Sequence, residues 1–96
     1  MKKKDEIKSL LATHFPDLAR KYYVSSIGLF GSVARNEFSD NSDIDILVDF
    51  SQPVGMEFIE LAYELEQILK CKVDLVSKNG IKPHYFKSIE KDLIYV

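Results

Sequence analysis

Only one cysteine, Cys71, occurs in the 96 residues, so no internal disulfide and no cysteine-based metal cluster can form. Its expected place is a small filler at a helix-strand junction. Two histidines, His14 and His84, stand without a partner at catalytic or ligating spacing, and each reads as structural or solvent-facing. No apolar run reaches the length needed to cross a bilayer, and the N-terminus lacks the apolar core of a secretion signal. A cytoplasmic protein with no membrane partner is expected. Excess charge of one sign is missing too: 13 Lys+Arg against 15 Asp+Glu leave a formal net charge of -2, which offers no general attraction to nucleic acid. No direct nucleic-acid partner is expected, and Lys2, Lys3 and Lys4 read as a solvated end. Internal repeats and low-complexity segments are absent.

What remains describes a folded chain. Hydrophobic residues make up 46% and charged residues 29%, well outside the composition of disorder, and the length suits one domain over residues 1–96. Ile7, Leu10, Leu11 and His14 share one face of an expected helix from Lys4 to Phe15, which Pro16 is expected to end or restart. Tyr22 to Phe30 reads as an approach and a strand, with Gly28 inside it allowing a neighbouring backbone to come close. Phe58, Leu61, Ala62, Leu65, Ile68 and Leu69 recur on one face of the clearest helix. Lys72 to Val76 reads as a short strand, Lys82 to about Lys91 as a helix with Pro83 in its first turn, and Leu93 to Val96 as a docking extension. The five tyrosines read as core edges or interface residues, and stacking against a base stays an alternative for any one of them.

Two stretches carry chemistry. An apolar run, Ile27 to Phe30, stops at Gly31-Ser32; Ser32 is a good helix N-cap, and a short helix through Ala34 and Arg35 would aim its first backbone N–H groups beyond Gly31. After a polar loop, Asn36 to Ser42, a second apolar run opens with Asp43-Ile44-Asp45. Side chains two apart in a strand point the same way, so Asp43 and Asp45 can reach one divalent cation while Ile44, Ile46, Val48 and Phe50 face a core. By the same alternation Val73 and Leu75 point one way and Asp74 the other, which lets Asp74 share the face of Asp43 and Asp45. A calcium loop is set aside, because the later glycine and bidentate glutamate do not stand at the required offsets from Asp40 or Asp43. Arg35, about one turn beyond Gly31, can neutralise phosphate charge or pair with Asp40 or Glu37.

Gly31-Ser32-x-Ala34-Arg35, six residues, then Ser42-Asp43-x-Asp45-x-x-Val48 resembles the signature of the polymerase-beta-like nucleotidyltransferase superfamily, specifically its minimal, single-domain MNT branch. The resemblance runs from about Ile27 to Val76. It departs at Asn36, where the family often has glycine; asparagine also tolerates a left-handed backbone. The implied fold is a small α/β (α+β) nucleotidyltransferase domain, a mixed sheet of three to five strands with helices packed on one face and the carboxylates on the other. The resemblance implies ATP as substrate and two Mg2+ ions, about 4 Å apart in such sites, held by Asp43, Asp45 and Asp74, with Asp74 helping to deprotonate the incoming hydroxyl. Gly31 and Ser32 would hold the β and γ phosphates. Bacterial MNT proteins are commonly antitoxins of HEPN ribonuclease toxins, which implies transfer of AMP to a tyrosine of such a partner. Two alternatives stay open: transfer to another protein or a small molecule, and an antitoxin that masks its partner without catalysis.

Overall fold

The first helix, α1, spans Lys4–Tyr22 in the computed structural model, which describes residues 3–37, 39 and 42–96. Asp5 and Glu6 occupy its first turn and Arg20 and Lys21 its last, each sign placed favourably against the helix dipole. Contrary to expectation, the helix runs straight through Pro16. Proline there removes one backbone donor, but its ring is solvent-exposed, and burial of Ile7, Leu11 and Leu18 on either side of it holds both halves on the sheet. Tyr22 therefore belongs to the helix rather than to the strand approach, and Tyr23 closes it in a left-handed conformation with φ 61°.

Strand β1 (Val24–Phe30) leads into a single helical turn, α2 (Gly31–Ala34), and strand β2 (Ile44–Phe50) follows the loop. Helix α3 (Met56–Leu69) connects β2 to β3 (Val73–Ser77), as a parallel pair requires. A 3-10 turn (Lys78–Gly80), helix α4 (Pro83–Glu90) and strand β4 (Ile94–Tyr95) complete the chain. The sheet has four strands in the order β3-β2-β1-β4 and is mixed: β2 runs antiparallel to β1 and parallel to β3, while β4 pairs antiparallel with β1. Gly28 lies opposite Tyr95, and a side chain there would come within 2.6 Å of Leu93 Cδ1, so the missing Cβ lets the terminal segment dock.

Alternation divides each strand between two faces. Ile27 and Leu29 of β1 and Ile44, Ile46 and Val48 of β2 point into the main core, where they meet Ile7, Leu11 and Leu18 of α1 and Leu61, Leu65 and Leu69 of α3. Glu64 fastens the two helices together, accepting from Tyr22 Oη at 2.6 Å and Lys21 Nζ at 2.8 Å. Cutting Leu65, fully buried, back to alanine is expected to destabilise the protein by about 2–5 kcal/mol, read as a lower urea midpoint.

The opposite face is barer. Phe30 and Leu47 lie there under Ile89 and Phe86 of α4, so one helix joins the face that carries the carboxylates while α1 and α3 cover the other. Cys71 is half-buried between α3 and β3, as expected. Lys2 of the basic end and Asp40 lie outside the described residues. No helix among the described residues is long and apolar enough to cross a membrane.

Candidate functional site

Three neighbouring features of the sheet make the site. β1 ends at Phe30, opposite Asp45, and the chain turns at Gly31 with φ +70°, a backbone conformation open to glycine and strained for other residues. That turn lies directly against the Asp45 carboxylate: a Cβ on Gly31 would collide with Asp45 Oδ2. On the other side of β2, Asp74 is the register partner of Asp45 across the parallel ladder. Both carboxylates therefore leave the sheet on the face away from the main core, because Ile44 and Ile46, and Val73 and Leu75, take the core face.

The electrostatics report the crowding. Asp45 is half-buried and its pKa is pushed from 3.8 up to about 6, first by burial, then by the negative charges of Asp74 and Asp43 and a hydrogen bond with Asp74, with Arg35 opposing. Asp43 immediately precedes β2 and is exposed, as is Asp74, so both are open to a ligand from solvent while Asp45 forms the floor. Among the described residues, no group of three or more His, Cys, Asp or Glu side chains is placed to hold a metal ion, so Asp43, Asp45 and Asp74 do not converge into a finished three-carboxylate site here. That donor set still fits magnesium, which takes oxygen ligands, keeps several waters and shares substrate phosphates rather than demanding an all-protein cage. Like charges held together, with Arg35 opposing them only in part, are what such a cation would relieve.

The turn after Gly31 differs from expectation in one respect. Helix α2 starts at Gly31 itself, with Phe30 at the cap position and no side-chain cap, so Ser32 sits in the first turn instead of capping it. The physical reason is the left-handed Gly31, which swings the extended strand directly into the turn without help from a side-chain oxygen. Arg35 N–H donates to Gly31 O at 3.2 Å and Glu37 N–H to Ser32 O at 2.8 Å, closing the turn. Asn36 takes φ 60°, so the residue that stands in place of glycine adopts the left-handed conformation it tolerates.

Arg35 is held by two carboxylates. Its Nε donates to Glu37 Oε2 at 3.1 Å, one of the pairings expected from the sequence, and its Nη1 donates to Asp92 Oδ2 at 2.7 Å. These bonds, the one to Asp92 foremost, raise the Arg35 pKa above its already high value. Asp92 was not foreseen, and no spacing could have flagged it, since it lies 57 residues away and reaches Arg35 only because α4 crosses this face. Tyr85 and Ser88 of α4 also border the site, beside a cleft that opens on Gly31 and Arg35.

This arrangement suits phosphoryl chemistry, and the comparisons with known proteins agree. Residues 11–96 match the family model described as a nucleotidyltransferase domain. The chain is 42% identical to protein adenylyltransferase MntA of Thermococcus cleftensis, over 96% of this chain and 94% of that protein. A toxin-antitoxin structure with AMP-PNP superposes with a TM-score of 0.72 at 27% identity, covering 86% of this chain and 69% of the other. The same fold recurs in a complex of the tri-AMPylated Shewanella oneidensis HEPN toxin with MNT antitoxin, with a TM-score of 0.66 at 24% identity over 92% of this chain and 70% of the matched one.

Proposed function

The chain belongs to the nucleotidyltransferase domain family, and from that premise we propose that it transfers AMP from ATP to a tyrosine of a partner HEPN ribonuclease toxin, silencing it in a magnesium-dependent reaction. The observation that carries the chemistry is the Asp45 carboxylate, set between the Gly31 turn and Asp74 on the adjacent parallel strand. The name of the Thermococcus relative supports protein as the acceptor, and the toxin-antitoxin neighbour with AMP-PNP supports both the nucleotide and the kind of partner. The HEPN class of partner rests on the likeness of the Gly-Ser and Asp-x-Asp motifs to the MNT branch.

In this reading the reaction is an in-line displacement at the α phosphorus. The tyrosine oxygen forms a new P–O bond, the bond to pyrophosphate breaks, and the phenolic proton passes to Asp74, which is exposed beside Asp45. Asp43 and Asp45 with Asp74 would hold magnesium, whose role when bound is to neutralise charge on the attacking and leaving oxygens. Backbone N–H groups of the α2 turn, which lack intrahelical partners, and the Ser32 hydroxyl would hold the terminal phosphates. Arg35 would turn from Asp92 and Glu37 toward phosphate, exchanging one anionic partner for another.

The reading is tested by incubating the chain with α-phosphate-labelled ATP, magnesium and a candidate HEPN toxin partner. Label is expected on the toxin with the wild-type chain and absent with Asp43→Ala/Asp45→Ala, and toxin activity should return in parallel. If the double variant protects as well as wild type and no label transfers in either case, protection works by binding alone and the reading falls.

A further inference from the structure

The cleft beside the Gly31 turn has a volume of about 210 Å³ and is bounded by Phe30, Gly31, Arg35, Tyr85, Ser88 and Asp92. It lies on the carboxylate face, between the end of β1 and helix α4, so it is continuous with the place where the proposed function puts phosphate. Its two sides differ in chemistry. Arg35 and Asp92, 2.7 Å apart, form a charged side, while Tyr85 supplies an aromatic ring. Tyr85, Ser88 and Asp92 follow one another at intervals of three and four residues, which lines them along one side of α4 and its C-terminal continuation. Ile89 and Phe86, on the other side of that helix, pack on Phe30 and Leu47. The packing of α4 thus does not need Tyr85, which is 51% exposed. A large aromatic left half in solvent on the wall of a cleft, with a hydroxyl and a carboxylate on the same wall, suits a flat heterocycle carrying polar edges.

We propose that this cleft receives the nucleoside of the bound nucleoside triphosphate, with its base stacked on the Tyr85 ring and with Ser88 and Asp92 as polar partners. This rests on the nucleotidyltransferase reading, and it adds the residues that distinguish a nucleotide from bare polyphosphate. Gly31 borders both the Asp45 carboxylate and this cleft, so the turn that would hold phosphate lies next to the surface that would hold the nucleoside. Stacking is tolerant of base identity, so Tyr85 contributes affinity, while any preference among bases arises from the polar edge.

Calorimetric titration of the whole chain, in magnesium, with ATP and separately with inorganic tripolyphosphate, tests the assignment. Wild type is expected to bind ATP more tightly than tripolyphosphate. Tyr85→Ala should weaken ATP at least about fivefold and leave tripolyphosphate unchanged, while Tyr85→Phe, which keeps the ring, should stay within about twofold of wild type for both. The site is solvent-exposed, and matching thermal melts of the three proteins establish that the fold is intact. Tyr85→Ala binding ATP as wild type does, or losing tripolyphosphate in equal measure, overturns the proposal. Equal affinity of wild type for the two ligands also overturns it while leaving the phosphate site standing; wild type binding neither removes the nucleotidyltransferase reading and this assignment with it.

Discussion

Asp45→Asn is expected to make the free protein more stable at neutral pH while lowering AMP transfer by at least about a thousandfold. In the proposed reaction the loss of transfer follows from removing a carboxylate that would hold the cation, since Lewis-acid stabilisation of developing charge is worth several kcal/mol and each 1.36 kcal/mol is about tenfold. The gain in stability follows from the pKa of about 6, raised from 3.8 by burial and by Asp74 and Asp43. Because the folded protein holds this proton more tightly than the unfolded chain, the stability it confers is full below about pH 4 and is lost as the pH rises through about 6. A shift of that size corresponds to at most about 3 kcal/mol, and solvent access to the half-buried group reduces it to about 1 kcal/mol.

Asparagine keeps the shape and never takes the charge. Urea unfolding in chelator should therefore give similar stabilities for the two proteins near pH 4 and a growing advantage for Asp45→Asn toward pH 7. Magnesium should then raise the melting temperature of the wild type and leave that of the variant in place. Wild type proving the more stable of the two at pH 7 without metal would mean that Asp45 is stabilised in its charged form, the reverse of what burial beside Asp74 and Asp43 implies.

Gly31→Ala is the second change with a large expected effect. The added methyl meets two obstacles: the left-handed φ of +70°, which costs an L-residue of order 1 kcal/mol, and collision with the Asp45 carboxylate. Together these are expected to destabilise by about 2–4 kcal/mol. Transfer should fall at least about a hundredfold even where the protein remains folded, because the methyl displaces the carboxylate on which the proposed reaction depends. Part of the stability loss should be recoverable. In Gly31→Ala/Asp45→Ala the carboxylate is gone and the remaining Asp45 Cβ position stands 3.4 Å from the new methyl, an ordinary contact. A double-mutant cycle by denaturant unfolding should show a coupling of at least about 1 kcal/mol, and strict additivity would show that the close approach of Gly31 to Asp45 is energetically empty.

Much of this geometry was legible before the fold was known. Alternation in Asp43-Ile44-Asp45-Ile46 and in Val73-Asp74-Leu75 assigns carboxylates to one face and aliphatic side chains to the other whatever the neighbours are, because successive strand side chains point oppositely. Helix α3 was equally plain, since Leu61, Leu65 and Leu69 recur at the period of a helical face and all three are buried. Pro16 misled because a local rule about backbone donors was outweighed by burial on both sides of it. Ser32 misled because a capping preference was read without knowing that Gly31 had already turned the chain.

The sequence by itself determined which atoms are available and which way they point: an oxygen-only set of acids, a glycine before a helical turn, and apolar faces that oblige the strands to bury one side. Only the tertiary structure decided what meets what. Asp45 lies against Gly31 because β1 and β2 pair in one register, beside Asp74 because β3 adds parallel at β2's other edge, and Arg35 reaches Asp92 because α4 crosses the open face. Periodicity is a property of neighbours along the chain, whereas register and crossing depend on the packing of distant segments, and no local pattern encodes them.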